Sequence, residues 1–499
     1  VLVSDILLGE LHSCNGGVPL LVEPIRPPLV LVWLDALTGD VFRRMYYGGE
    51  LPNLEEYFER GVFVETAVSC FPTVSESSEG GIISGFLAGE TNMLGERYYS
   101  RRRRSVMHYK FNARPEEDFR PELRNLVIDR IVGDSVGMGR LIYTGFESII
   151  DIRANYYEKQ GSLKIVERRI EVASRVVRSR RPRLLFFTIS ADYISHVDGK
   201  DGPLVREFVK RFDREFPALT ETLDETYGHD RYAIFVFSDH GLSDVSRHLD
   251  LPNLLEEYGF KPAETDLLMS RDDCNAAALS NGRRSGLVYI AHPEEGWRRR
   301  PSYRILRNYP LKGVNVDVLR LLAEEEGVGR VFAKCDEFSV AVISSEGEAR
   351  ILYNPVEERF RYRVVRGEDP LGYTVSISSV DEEGLLRKTH AAEFPDAILQ
   401  VYHLFDSENC GDIVLDAARG WDFWEPWDVP YPTLKAAHGG LSRDEMSSFI
   451  LARGPMMERG VVAYARIIDL FATVAAYYGA TSIASKSHAV ERLLSTNSS

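Results

Sequence analysis

The chain has 499 residues, of which 44% are hydrophobic and 27% charged, and its formal net charge is −15. That length and apolar content support a large core, more than one layer deep, while the negative balance excludes a nonspecific nucleic-acid binder, which needs a basic face. A small anionic substrate stays open, because bound cations reverse the local sign. Five cysteines (Cys14, Cys70, Cys274, Cys335, Cys410) are scattered, odd in number and free of CxxC spacing, so neither a zinc ribbon nor a disulfide framework is expected. Val1–Glu10 has no basic stretch followed by an apolar one, and no run of ~18 apolar residues occurs anywhere. No membrane span is expected, and a cytoplasmic location is, with secretion after removal of a signal peptide as the alternative. Glutamine occurs only at Gln160 and Gln400 while Arg and Glu abound, a bias that points to a heat-adapted source.

In chain order, a proline-punctuated lead-in (Pro24, Pro27, Pro28) precedes Leu29–Leu34, which reads as a buried parallel strand with Asp35 directly after it. Leu51–Arg60 has helical spacing and Val62–Val68 strand composition. The small, Gly-rich stretch Glu76–Gly89 puts Ile82, Ile83 and Phe86 on one helical face. A helix starting just after Thr73 would aim its amino-terminal N–H groups at an anion. From Glu96 to Arg140 the pattern weakens around the run Arg101–Arg104, which reads as a solvated surface segment, with a lid over an anionic substrate as the sharper alternative. Then come a helix over Leu163–Val177, a buried strand at Leu184–Ile189, a long helix over Leu204–Tyr227 and another buried strand at Tyr232–Phe237. This alternation predicts βαβ units and a largely parallel sheet flanked by helices, an α/β fold.

Beyond Lys261 the texture changes to short strands at Leu287–Ile290, Arg330–Ala333, Phe338–Ile343, Ala349–Tyr353 and Phe360–Val365, with turns at Glu346-Gly347 and Asn354-Pro355. Residues 261–403 are therefore expected to form an inserted α+β cap subdomain between two parts of one core, 25–260 and 404–485. In the second part Asp412–Leu415 and Phe449–Ala452 read as strands, His438 as a loop residue and Ile467–Tyr478 as a closing helix.

Several carboxylates and imidazoles fall where an apolar strand ends, and loops at the carboxyl ends of strands are where open α/β sheets build their sites. In Ala191-Asp192-Tyr193-Ile194-Ser195-His196 a spacing of four places Asp192 and His196 on one side of a helical turn, within reach of one ion. His438 would complete a three-ligand set with one position open. In Phe237-Ser238-Asp239-His240-Gly241 a sharp turn at Gly241 lets Asp239 and His240 bend toward one cation, where Asp35 could join them. Thr73 is the candidate nucleophile, since a coordinated hydroxyl becomes reactive near neutral pH. Taken singly, each residue has a blander use: Asp35 as a turn former, Asp192 as a helix cap, Thr73 as a backbone-bonding loop residue. Jointly they describe a two-cation phosphoryl-transfer centre.

At these residues the chain resembles the alkaline phosphatase superfamily, and within it the type I phosphodiesterase/nucleotide pyrophosphatase family. Asp35, Phe71-Pro72-Thr73 and Ser84-Gly85 stand for that family's metal-binding Asp, its Phe-Pro-Thr and its Thr-Gly; Asp192 to His196 for its Asp-x-x-x-His; Ser238 to Leu242 for its Ser-Asp-His-Gly-Met; His438-Gly439 for its last His-Gly. The likeness covers Leu29–Asp244 and Gly411–Gly479. It implies an alkaline phosphatase-like core and two divalent ions, Zn²⁺ with Mn²⁺ as the alternative. One ion would lie at Asp192, His196 and His438, the other at Asp35, Asp239 and His240 with Thr73. It also implies a small phosphorylated substrate such as a nucleotide. The chain departs from the family after the nucleophile, where Pro-Asn-His is replaced by Ser77-Ser78-Glu79. It departs again downstream, where the Asn that holds a phosphate oxygen falls on Glu96. Asn92 and Arg97 are the candidates to hold the phosphate instead.

A sulfatase would need Arg where Val74 stands. A phosphomonoesterase or phosphate-transferring mutase shares the metal core; mutases usually carry Ser, for which Ser75 or Ser77 would serve. A phosphonate hydrolase, or a low-turnover binding protein on the same fold, completes the alternatives. His248, His292 and His403 lie outside the motifs.

Overall fold

The computed structural model describes residues 26–109, 135–138, 147–148, 163–263, 273–425 and 434–479. Val1–Glu10, Cys14 and residues 110–134 of the weakly patterned stretch lie outside the described residues.

The principal sheet has nine strands: β1 (Leu29–Asp35), β2 (Val62–Val68), β3 (Ser135–Met138), β4 (Glu147–Ser148), β5 (Leu184–Ser190), β6 (Ala233–Phe237), β7 (Ser447–Arg453), β8 (Gly460–Val462) and β9 (Ala465–Arg466). Their order is β8-β2-β7-β6-β1-β5-β3-β4, with β9 beside β2. The strands are parallel except β7, which runs antiparallel to both β2 and β6. This is the α/β architecture, with a mixed, largely parallel sheet.

Period-two alternation explains why β1, β5 and β6 read as unbroken apolar runs. Leu29, Leu31, Trp33, Phe186, Phe235 and Phe237 enter one core, and Val30, Val32, Leu34, Phe187, Ile234 and Val236 enter the other. A sheet covered on both faces has no solvent side to mark with polar residues. The second of these cores is closed by α1 (Gly39–Tyr47), α3 (Ile165–Arg180) and α5 (Pro203–Tyr227). The first is closed by α2 (Ser75–Ser84), α6 (Asp469–Tyr477) and a second sheet. Helix α4 (Asp192–Asp198) follows β5 directly.

The second sheet is antiparallel and has seven strands, in the order Ala276–Asn281, Ser285–Ile290, Ile413–Ala417, Val328–Asp336, Ser339–Ile343, Gly347–Asn354 and Arg359–Gly367. Residues 412–415, expected to rejoin the first core, instead lie in this sheet, pairing with Ser285–Ile290 and Val328–Asp336. The sequence Ile-Val-Leu-Asp-Ala marks a buried strand, but burial on both faces says nothing about which sheet receives it. The run Arg101–Arg104 forms the turn of a hairpin, Arg97–Ser100 with Ser105–His108. Among the described residues, no helix is long and apolar enough to cross a membrane.

Beside the first core, a buried network ties β9 to the helix Ala397–Leu404 and to the loop before α2. Arg466 in β9 grips Asp396 with two bonds, Nε–Oδ2 at 2.7 Å and Nη2–Oδ1 at 2.9 Å. The Gln400 amide donates to Asp396 Oδ2 at 3.2 Å, and its Oε1 accepts the Phe71 N–H at 3.1 Å. Arg466→Ala would strand the buried Asp396 carboxylate and should cost about 3–5 kcal/mol. Urea unfolding measures this, and an unchanged midpoint would refute the network's role.

Candidate metal centre and active site

The register of the principal sheet brings the site together. Asp35 pairs with Ser190 across β1 and β5, and Trp33 pairs with Phe237 across β1 and β6. The two residues after Phe237 therefore come level with Asp35, and neighbouring strands lie only ~4.8 Å apart. Asp239 Oδ1 accepts the Ala36 N–H at 3.1 Å and Ser238 Oγ accepts the Leu37 N–H at 3.0 Å, locking the two strand ends together. Gly241 is required at the turn that follows, since a Cβ there would sit 2.1 Å from the Asp444 carbonyl.

The six residues expected to bind metal gather into two groups, Asp192 with His196 and His438, and Asp35 with Asp239 and His240. Within each group the candidate donor atoms lie within 4.8 Å of one another. The two groups adjoin: the rings of His240 and His438 stack, with centroids 4.4 Å apart.

Each histidine has one nitrogen facing a backbone carbonyl. His196 Nδ1 lies 2.7 Å from Ala436 O, His438 Nδ1 2.9 Å from Thr73 O, and His240 Nδ1 3.1 Å from Gly241 O. A carbonyl only accepts, so Nδ1 carries the proton in each ring, and a neutral imidazole is left with a bare lone pair on Nε2. Those Nε2 atoms face carboxylates: His196 and His438 lie 3.2 and 3.4 Å from Asp192 Oδ1, and His240 lies 3.3 Å from Asp239 Oδ2. Both of those carboxylate oxygens are buried without a hydrogen-bond partner. Lone pairs facing lone pairs at this range require positive charge between them, which fits a divalent cation in each group.

The electrostatics agree. Burial and the neighbouring Asp35 carboxylate push Asp239 well above the usual carboxylate range, and burial lowers His240 below that of a free imidazole. Burial also works against ionised Asp192, but positive charge on the His196 and His438 rings in their protonated form outweighs it and holds Asp192 well below its usual value, so this group too is settled by positive charge beside the carboxylate. The Asp35–Asp239–His240 group is thus buried, rich in carboxylate and short of cation.

Two hydroxyls two residues apart play different parts. Thr73 Oγ1 donates to the Gly440 carbonyl at 2.8 Å and accepts the Gly439 N–H at 2.9 Å, so its hydrogen bonds go to backbone. Ser75 Oγ instead donates to Asp35 Oδ1 at 3.1 Å and lies 3.4 Å from His240 Nε2. The hydroxyl expected from Thr73 beside the second group is supplied by Ser75, the first residue of α2. A signal was present in the sequence: Ser77-Ser78-Glu79, standing for the family's Pro-Asn-His, begin two residues after Ser75 and four after Thr73. Ser190 was also missed; its Oγ donates to Asp35 Oδ2 at 2.8 Å and fixes the carboxylate.

Of the two candidate phosphate-holding residues, Arg97 is engaged elsewhere. Arg97 is buried and committed to Glu425 at 2.7 Å and to the Ser280 carbonyl and hydroxyl, each at 3.1 Å. That ion pair answers its charge. Asn92 ends the short helix Ala88–Thr91 in a left-handed conformation, and its carbonyl accepts the Tyr109 hydroxyl.

The sequence model of the type I phosphodiesterase / nucleotide pyrophosphatase family matches residues 29–441. The chain belongs to this family. Solved structures of similar fold include murine ectonucleotide pyrophosphatase / phosphodiesterase 5, as an inactive threonine-to-alanine form in complex with AMP, at 14% identity and a TM-score of 0.56. A second structure of the same murine protein aligns at 13% identity and a TM-score of 0.56. Its human counterpart aligns at 13% identity and a TM-score of 0.55. Each alignment covers 94% of this chain and 100% of the other. No curated protein sequence matches the chain. In this family member the second sheet reaches the candidate centre through one turn: His438 N–H donates to the Gly282 carbonyl at 3.0 Å, and Arg284 N–H donates back to the His438 carbonyl at 2.9 Å. Gly282 has φ +57°, and a Cβ there would lie 2.5 Å from His438 Nδ1 and 2.6 Å from Val74 Cγ1. Gly282→Ala should tilt the His438 ring and weaken retention of any ion held with Asp192 and His196 by about 10–100-fold. Chelator competition reads this directly, and unaltered retention would refute it.

Proposed function

We propose that the chain is a two-metal phosphoric ester hydrolase acting on phosphodiesters or nucleotide pyrophosphates, with Ser75 as the nucleophile. The observation that carries the reading is the Ser75 hydroxyl within 3.1 Å of Asp35 and 3.4 Å of His240, beside two adjoining N/O donor groups. Asp192, His196 and His438 would hold one ion, and Asp35, Asp239 and His240 the other. The N/O donor sets suit Zn²⁺, with Mn²⁺ as the alternative. When bound, such ions supply Lewis-acid polarisation of phosphoryl oxygens and lower the pKa of a nearby hydroxyl.

The chain's own groups do the rest. The Ser75–Asp35 hydrogen bond orients the attacking oxygen, and Ser190 keeps Asp35 from rotating. Thr73 acts as a positioning residue: its hydroxyl clamps the Gly439-Gly440 backbone and its carbonyl fixes the His438 tautomer. Ser75 opens a ten-residue helix, whose amino-terminal dipole favours the negative charge gathering on the phosphoryl group. Arg97, bound to Glu425, serves as a support behind the turn at Gly282, and Asn92 stays the candidate for contact with substrate. The seven-stranded sheet is proposed as the subdomain that shapes the mouth of the site. The AMP held by the murine relative supports a nucleotide-like substrate, and the inactivity of its threonine-to-alanine form is the behaviour expected when a nucleophilic hydroxyl is lost.

Ser75→Ala should lower hydrolysis of bis(p-nitrophenyl) phosphate by ~10³-fold or more while metal content stays at that of the parent protein. Thr73→Val should retain measurable turnover with looser metal binding at His438. Full activity in Ser75→Ala with none in Thr73→Val would return the nucleophile to Thr73.

A Ser rather than a Thr at the nucleophile gives one specific reason to weigh a phosphomonoesterase or mutase of the same superfamily. Hydrolysis of the diester and of p-nitrophenyl phosphate side by side, by Zn²⁺-reconstituted protein, decides this. A diester preference of tenfold or more is expected, and a monoester preference would overturn it.

A further inference from the structure

Away from the metal centre, a second concavity has a chemistry that the proposed reaction does not use. It is a cavity of about 510 Å³ lined by Arg101, Arg102, Arg104, Trp297, Arg298, Arg300 and Glu408. Five arginines thus line one hollow in a chain whose net charge is −15. Two of the five are anchored. Arg101 is paired with Asp412, donates to the Ile290 carbonyl at 3.3 and 3.4 Å and lies over the Trp297 ring at 5.3 Å. Arg300 reaches the Glu408 carbonyl at 2.5 Å and Asp412 Oδ1 at 3.9 Å. The other three, Arg102, Arg104 and Arg298, are exposed and form no ion pair among the described residues. The carboxylates set against the five are Glu408 in the lining, Asp412 beneath it and Glu295, whose carboxyl feels the charge of Arg298.

The hollow is built rather than accidental. Trp297 forms its floor: it is 7% exposed, its indole N–H donates to the Cys274 carbonyl at 3.0 Å, and Tyr99 packs on it with centroids 4.7 Å apart. Burial holds the Arg101 guanidinium below its ordinary value; the Asp412 carboxylate works against that shift and the like charge of Arg300 adds to it. An added anion would relieve the positive charge that the Asp412, Glu408 and Glu295 carboxylates leave uncompensated. The cavity is also distinct from the metal centre. Strand Ser285–Ile290 runs from the turn against His438 to the Ile290 carbonyl that holds Arg101, a span of about 17 Å at ~3.4 Å per residue.

We propose that this cavity is a second binding site, for a small polyphosphate anion such as inorganic tripolyphosphate or the phosphate chain of a nucleoside triphosphate. Three unpaired guanidiniums match a chain of three phosphates, and the planar fork of each grips phosphate oxygens in pairs. The volume suits a ligand of that size. A long nucleic acid fits less well, because the acidic remainder of the chain repels an extended polyanion. The inference does not depend on the reaction proposed above.

The test is calorimetric titration of the full metal-loaded chain with inorganic tripolyphosphate, compared with Arg102→Glu/Arg298→Glu. The metal centre is common to both proteins, so the difference between isotherms isolates the cavity. Loss of one binding event per chain, or weakening of tenfold or more, is expected, with diester hydrolysis within twofold of the parent. Arg102→Gln/Arg298→Gln, which adds no negative charge, should show a smaller loss of the same kind. A non-hydrolysable α,β-methylene nucleoside triphosphate separates the two sources: equal affinity assigns recognition to the phosphate chain, and tighter binding adds the nucleoside. Superimposable isotherms overturn the proposal, as does tighter binding of a twelve-nucleotide single strand than of tripolyphosphate.

Discussion

The parallel pairing of β1 between β5 and β6 is the constraint on which the site depends. It brings Asp35, Ser190 and Asp239 to one level at the carboxyl ends of three adjacent strands, where the helices that follow carry the chain away and leave a crevice. Because the sheet is covered on both faces, the carboxylates arrive buried. Burying Asp35 and Asp239 together is unfavourable unless positive charge accompanies them, which makes the group a candidate to hold a cation. The same burial that makes β1 a good strand makes its last residue a poor place for an unanswered charge.

Around that line the remaining groups are held by backbone rather than by one another. Three carbonyls, from Ala436, Thr73 and Gly241, fix the tautomer of the three imidazoles, so each ring presents Nε2 inward whatever solvent does outside. His438 comes from far along the chain, and the two bonds it exchanges with the Gly282–Arg284 turn help seat its backbone. The second sheet is thus part of the centre's scaffold. Beneath α2, the Arg466–Asp396–Gln400 relay reaches the Phe71 N–H and steadies the loop that delivers Ser75. An error in this layer would reach the reacting atoms through a loop only a few residues long.

The contrast between Thr73 and Ser75 shows how narrowly such roles are set. Both are small hydroxyl residues at the mouth of the same helix. Thr73 lies in the loop where the Gly439-Gly440 backbone occupies both sides of its hydroxyl, while Ser75, the first residue of the helix, turns its own toward Asp35. A polar side chain saturated by peptide groups is a clamp; one shared between a carboxylate and an imidazole is poised for chemistry.

The sequence by itself determined the main elements and the candidate donors. Continuous apolar runs announced β1, β5 and β6, the 3.6-residue periodicity announced α3 and α5, and the positions of Asp35, Asp192, His196, Asp239, His240 and His438 at or after strand ends announced a two-group centre, because those signals are local. Tertiary structure alone decided three things. It placed strand Ile413–Ala417 in the second sheet, since a run buried on both faces carries no mark of its partner. It gave Arg97 to Glu425, 328 residues away, a pairing that no local pattern encodes. It chose Ser75 over Thr73, because which hydroxyl meets the carboxylate depends on where the Gly439-Gly440 backbone crosses the loop, and that crossing is fixed by packing between segments more than 350 residues apart.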